Sequence, residues 1–268
     1  MAGGKTLPAI PLEKRRVTAK VRLLAPISAR YRTRSRMRAV PEQVHGVFEH
    51  FVMPYDRKIL FMKNSKAGCT TVAALIVKYA TGKDTERVHT LKDGLYQSEE
   101  HWQLFDQAFR DSATFCFSMT RHPVERFASA FLDFCVDMRN ASVPRHLPAM
   151  RARGFVPGGD TGRNLEAFLG YVEESLALSG MYSDRHWREQ HRNLGLGYFH
   201  YDFIGKLENY ADDIRFAFES AGLGGFLAGG DWRQRRNVSS PDDVALTRRQ
   251  IARIEALYAR DFEMFGYE

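Results

Sequence analysis

The sequence predicts an α/β fold in which a central, mainly parallel sheet is flanked by helices. Two separated segments carry that prediction, residues 58–79 and 114–138. Each runs from a short apolar stretch without helical periodicity, through a turn, into a stretch with helical spacing, which is the order strand, turn, helix. The third observation is chemical: both turns hold cationic and hydroxyl side chains. Two strand ends suited to anions in one small domain predict a ligand with two separate anionic groups.

Residues 1–40 hold eleven of the 39 Lys and Arg residues but only one of the 32 acids, Glu13. The formal net charge of +7 therefore belongs to this stretch, and the remainder is slightly acidic. Such a composition predicts a flexible, solvated extension able to touch anionic surfaces, with no specific nucleic-acid site. Residues 41–268 are long enough for a single domain with its own core. No run approaches the roughly 20 apolar residues that span a bilayer, and Val21–Ile27 is too short and too charged for a secretory core. The expectation is a soluble, cytoplasmic protein, at most peripheral to membranes. Cys69, Cys116 and Cys135 show neither metal spacing nor a disulfide pattern.

Along the chain, residues 41–53 read as a short helix. Lys58–Lys63 reads as a buried strand, Asn64–Gly68 as a turn, and Thr70–Tyr79 as a helix capped or opened by Thr70 or Thr71. The first N–H groups of a helix lack internal partners and carry the positive end of its dipole, which makes that point an anion site. Gly68 lets backbone come close, the Thr70 and Thr71 hydroxyls can donate to oxyanions, and Lys66 adds a full charge. A Walker loop places Gly-Lys-Ser/Thr at the helix start. Here the lysine precedes the glycine by two positions and the earlier glycine is missing, which disfavours a magnesium-dependent nucleotide triphosphatase or kinase.

Residues 97–110 read as a helix. Thr114–Thr120 reads as the second strand and ends at Arg121. Pro123 suits the first turn of a helix running to about Met138, with Phe127, Phe131 and Phe134 facing a core. That helix can carry Ser129 back towards the strand end, where Arg121 and Ser129 would share one phosphate. Residues 139–163, rich in Pro, Gly and Arg, read as a long loop on the acceptor side. Helices follow at 165–178 and 210–221, a strand lies around Ile204, residues 224–240 form a loop holding Arg235 and Arg236, and Pro241 opens a last amphipathic helix.

Together these segments resemble the PAPS-dependent sulfotransferase superfamily, specifically its carbohydrate-sulfotransferase-like branch, sulfotransferase family 2. Ser65-Lys-Ala-Gly-Cys-Thr-Thr71 resembles that family's 5'-phosphosulfate loop, with serine for its usual proline. Arg121-His-Pro-Val-Glu-Arg-Phe-Ala-Ser-Ala-Phe131 resembles its 3'-phosphate segment. Asp184–Gln190, Tyr201–Glu208 and Tyr258–Tyr267 resemble three later elements in the family's order. The resemblance implies a P-loop-NTPase-like three-layer sandwich. It implies PAPS (3'-phosphoadenosine 5'-phosphosulfate) as donor, PAP as product, no metal, and a hydroxyl-bearing acceptor, expected to be a glycan. Lys66, Ala67, Gly68, Cys69, Thr70 and Thr71 would hold the 5'-phosphosulfate, and Arg121 and Ser129 the 3'-phosphate. Animal members are typically membrane-anchored Golgi enzymes.

Sulfuryl transfer resembles phosphoryl transfer, an in-line displacement through a loose transition state. Lys66 is the candidate for stabilising the leaving phosphate. A histidine suits the base because its ordinary pKa lies near working pH. His186 comes first because it lies in a family-like element, with His89 and His101 as alternatives and Glu99 or Glu100 behind them. Sulfonation of a lipid or small-metabolite alcohol, and a non-catalytic polyanion- or nucleotide-binding module, stay open at this stage.

Overall fold

A computed structural model describes residues 7–13, 19–85, 88, 91, 93–229, 231–233 and 244–268. In chain order the elements are α1 (Ala19–Leu24), α2 (Ala29–Arg36), β1 (Phe51–Pro54), β2 (Ile59–Met62), α3 (Cys69–Thr81), β3 (Leu95–Tyr96), α4 (Trp102–Ala108) and β4 (Phe115–Thr120). They continue as α5 (Pro123–Phe131), α6 (Val143–Arg151), α7 (Thr161–Ser179), α8 (Gln190–Asn193), β5 (Phe203–Lys206), α9 (Tyr210–Ser220), α10 (Arg248–Leu257) and α11 (Ala259–Phe265). The chain divides into two compact units. One comprises Lys14–Arg121 with Gln190–Val238, the other Met1–Glu13, His122–Glu189 and Ser239–Glu268.

The first unit holds a five-stranded mixed sheet in the order β3-β1-β2-β4-β5. Strands β2, β4 and β5 run parallel, with Phe61 level with Phe117 and Phe117 level with Phe203. Strands β1 and β3 add an antiparallel edge. Both faces of the inner strands are covered, which is why they read as unbroken apolar runs. On one face Val52, Ile59, Phe61, Phe117 and Met119 pack against Val72 and Ile76 of α3 and Ile214 and Phe218 of α9. On the other, Phe51 meets the rings of Phe48, Phe105, Phe109 and Phe199 at 5.3–6.1 Å.

The second unit is helical and packs around Trp187, which is fully buried. The indole N–H donates to Ser175 Oγ of α7 at 3.1 Å, and the Tyr258 hydroxyl donates to the Trp187 carbonyl at 2.7 Å. Rings of Phe134, His146, Phe168 and Tyr171 surround the indole at 4.8–5.8 Å. Asp160 caps α7 through the Arg163 amide, and Thr247 with Gln250 forms a capping box on α10.

Several sequence expectations change here. Residues 139–163 are not a long loop: α6 occupies 143–151 and buries Val143, His146, Ala149 and Met150. Pro144 sits in its first turn, where no N–H is needed, so the prolines mark a helix start as well as a break. Residues 41–53 form two short 3-10 turns and then β1, whose four residues are too few to show a period. The helix expected to reach Met138 gives way to a π-helical turn at Leu132–Val136. The last helix begins at Arg248, with Thr247 as its cap, while Pro241 lies outside the described residues. Within the basic stretch expected to be flexible, residues 19–24 and 29–36 are helical, Val21 and Met37 are buried, and Arg34 pairs with Glu99 at 3.2 Å. No helix among the described residues is long and apolar enough to cross a membrane.

Gly205 of β5 is forced by its surroundings. A Cβ there would lie 2.7 Å from Met119 Sδ and 3.0 Å from Asp213 Oδ2, the oxygen that accepts the Lys206 amide at 2.6 Å. Gly205→Ala is expected to cost about 1–3 kcal/mol in urea unfolding through overpacking. An unchanged midpoint would show that both neighbours yield freely.

Candidate functional site

β2 and β4 are parallel neighbours, so their C-terminal ends lie side by side, at the end of a parallel sheet where ligands bind. After β2 the chain makes a turn closed by the Ala67 amide on the Asn64 carbonyl at 3.3 Å. Lys66 occupies the third position of that turn with φ +66°. Positive φ at this position is what a type II turn requires, and for a lysine it stores backbone strain of about 1–2 kcal/mol. Gly68 follows with φ +73°, and a Cβ on it would lie 2.6 Å from Leu207 Cδ1, so only glycine fits without displacement. Alternation of ordinary and left-handed residues turns successive N–H groups inward, an arrangement suited to anions.

α3 starts at Cys69 with Gly68 as its N-cap, not at the threonines, and no side chain caps it. The N–H groups of its first turn therefore have no intrahelical acceptor. Lys66, Cys69 and Thr70 are half-buried, while Ala67 and Thr71 are buried. Lys66, Ala67, Gly68, Cys69, Thr70 and Thr71 thus form one continuous turn and helix start.

A buried amide network ties this turn to the end of β4. Asn64 Nδ2 donates to the Met119 carbonyl at 3.1 Å and to Gln190 Oε1 at 3.0 Å. The same Gln190 oxygen accepts the Arg121 amide at 3.0 Å, and Gln190 Nε2 donates back to the Arg121 carbonyl at 2.8 Å. Asn193 Nδ2 donates to Asn64 Oδ1 at 3.2 Å. Asn64 and Gln190 are both fully buried. Gln190, far along the chain, therefore fixes Arg121 relative to the Lys66 turn. The Arg121 side chain itself is largely buried. Ser129, also buried, sits on α5 of the other unit, as does His186 in its own segment.

His186 ends a chain of hydrogen bonds that starts in the second unit's core. The Tyr171 hydroxyl meets His146 Nδ1 at 2.6 Å, and His146 Nε2 meets Asp184 Oδ2 at 2.9 Å. Asp184 Oδ1 meets His186 Nδ1 at 2.6 Å, and Asn140 Nδ2 reaches His186 Nε2 at 3.1 Å. Burial alone would push Asp184 up, yet the hydrogen bonds and charge of His146 and His186 hold it well below the usual carboxylate range. Burial, with the Asp184 charge, pushes the Tyr171 phenol up, so it stays a donor. The partners fix both tautomers: His146 donates from Nε2 and His186 from Nδ1, which leaves His186 Nε2 as an acceptor.

His101 stands at the start of α4, edge-on to Tyr96 at 5.0 Å and Phe105 at 6.4 Å. His89, Arg235 and Arg236 lie outside the described residues. Glu99 is engaged by Arg34. Among the described residues no group of three or more His, Cys, Asp or Glu side chains is placed to hold a metal ion. Sequence reasoning missed Asn64, Asn193, His146 and Asp184 as site builders. Asp184 and Gln190 stand inside a recognised element, which was the available signal; His146 offered none, because its partners lie 25 and 38 residues away.

Gln190→Leu would leave the Asn64 amide and both backbone groups of Arg121 without this buried partner. A stability loss of about 2–4 kcal/mol in chemical denaturation is expected. A loss under about 0.5 kcal/mol would mean that the two strand ends are held by the ladder alone.

The chain matches the Sulfotransferase family over residues 49–268. It is 25% identical to carbohydrate sulfotransferase 8 of Mus musculus over 268 residues, covering 92% of this chain and 62% of that protein. It is 19% identical to carbohydrate sulfotransferase 11 of Mus musculus over 240 residues, covering 82% of this chain and 67% of that protein. The chain thus spans about three fifths of the length of carbohydrate sulfotransferase 8. No solved structure matches it. With the family match reaching from before β1 to the last residue and including both strand-end turns, the chain belongs to the sulfotransferase family.

Proposed function

We propose that this protein transfers a sulfuryl group from PAPS to a hydroxyl group, with glycans as the acceptor class. The observation that carries the reading is the pair of cationic strand ends, Lys66–Thr71 and Arg121, held together through Gln190. A donor with a 5'-phosphosulfate and a separate 3'-phosphate matches two such ends; an ordinary nucleoside monophosphate matches one. The glycan rests on the two carbohydrate sulfotransferases that the chain resembles.

On this reading the N–H groups opening α3, the Thr70 and Thr71 hydroxyls and the Lys66 ammonium bind the 5' end and stabilise charge on the departing phosphate oxygen. The left-handed conformation of Lys66 and Gly68 preorganises the turn, so little rearrangement is needed as charge develops. Arg121, with Ser129, binds the 3'-phosphate. His186 is the proton acceptor. Its Nδ1–H is committed to Asp184, so Nε2 takes the acceptor proton as the new O–S bond forms and the S–O bond to the leaving phosphate breaks. In the free protein that nitrogen accepts from Asn140, and an acceptor hydroxyl would take Asn140's place. Asn140 stands near the start of the 139–163 segment, which supports an acceptor-side role for that segment despite its helix. His101 and His89 stand behind His186 as alternative bases.

Calorimetric titration with PAP, with 5'-AMP and magnesium-ATP as controls, tests the donor site. PAP is expected to bind at least tenfold more tightly than AMP, and both Lys66→Ala and Arg121→Ala to lose at least tenfold. PAP binding no better than AMP, or ATP binding best, would remove the sulfotransfer reading. His186→Gln is expected to cut transfer from labelled PAPS by about 10²–10⁴-fold while PAP affinity is kept. Unaltered turnover would move the base to another side chain. A glycan panel run beside lipid and small alcohols identifies the acceptor class, and transfer to the alcohols alone would overturn the glycan assignment.

A further inference from the structure

Lys63 immediately precedes the phosphate turn, and its side chain is almost wholly buried. Its amide donates to the His50 carbonyl at 2.9 Å, which continues the β1–β2 ladder one residue beyond Met62. Side-chain alternation therefore still holds, and Lys63 continues the row of Ile59 and Phe61. That row faces Val72, Ala73 and Ile76 of α3. Lys63 consequently extends towards the start of α3, where Cys69 acts on its charge. The ammonium donates to Gln97 Oε1 at 3.1 Å, and Gln97 is itself anchored by Nε2 on the Leu91 carbonyl at 2.6 Å.

We propose that Lys63 is a second cation of the donor-phosphate turn, resting on Gln97 in the free protein and drawn to the phosphate or phosphosulfate anion that binds at the start of α3. The inference rests on the donor-site reading above. Burial makes the ammonium costly to hold away from water, and the Gln97 oxygen orients it. A phosphate held by the α3 amides and Lys66 brings negative charge close to the ammonium. Lys66 then grips the anion from the turn while Lys63 approaches from the strand side.

Burial brings Lys63 down to about 8, with Cys69 opposing the shift. The ionisable group that acts on its charge is Cys69 on α3; Gln97, after β3, carries no charge. A bound anion favours the protonated form and raises this value. The sign follows: the Lys63 contribution to binding is complete below about pH 8 and fades as pH rises through the higher value of the complex. Between the two values, binding must take up a proton.

Titrating the full chain with PAP at pH 7.0 and 8.5, in buffers of different ionisation enthalpy, tests this directly. Wild type is expected to take up protons at pH 8.5 and to bind more weakly there than at pH 7.0. Lys63→Met, which keeps the length and apolar stem of the side chain, is expected to lose tenfold or more in affinity at pH 7.0 and to lose the proton uptake. Lys66→Ala serves as the control for the site itself. If wild type binds PAP and Lys66→Ala does not, but Lys63→Met matches wild type in affinity and proton uptake, this inference alone is overturned. If wild type fails to bind PAP, the donor-site reading and this inference fall together.

Discussion

Two strand-end turns suited to anions can serve one ligand only if their separation is fixed, and here a single buried glutamine helps fix it. The parallel ladder between β2 and β4 ends at Met62 and Ser118, short of both Lys66 and Arg121. Beyond that point the Gln190 amide replaces missing backbone pairing, using its oxygen for Asn64 and Arg121 and its nitrogen for the Arg121 carbonyl. A buried amide that satisfies backbone groups on one side and a side chain on the other has little freedom to shift, because each displacement leaves a polar atom unpaired. Lys66 adds its own rigidity through a left-handed backbone that the surrounding turn must enforce.

The second unit solves a different electrostatic problem. Asp184 is an ionised carboxylate placed in a core, with a histidine on each oxygen. Tyr171 completes the inner end and fixes the His146 tautomer, while the outer histidine, His186, remains partly exposed. A carboxylate held so firmly in its charged form orients both rings. The arrangement leaves His186 Nε2 as a defined acceptor nitrogen, which is the geometry the proposed base needs.

The strands and helices around the Lys66 and Arg121 turns were legible because their signals are local. The β2 and β4 runs are apolar on both faces, Pro123 opens α5, and Lys66 and Gly68 stand in an order that excludes a Walker loop. The parts that were not legible depend on distant partners or mixed signals. Residues 139–163 carry prolines that suggest a loop, yet Val143, His146 and Met150 find a core to fill and the helix forms. β1 is four residues long and exists because β2 and β3 border it. Asn64 and Gln190 are 126 residues apart, so no periodicity connects them. Lys63 looked like an ordinary strand-end lysine, and only its burial sets it apart.

The close approach of Leu207 to Gly68 gives the Lys66 turn a hydrocarbon floor, completed by the fully buried Ala67. Water and mobile ions are kept from one side of any anion seated there, so counter-ions in solution screen its attraction to the turn only weakly. The exposed cations of residues 19–39 have no such shelter. Ionic strength therefore separates the two positive regions of the molecule, weakening whatever meets the exposed helices and largely sparing what sits in the turn.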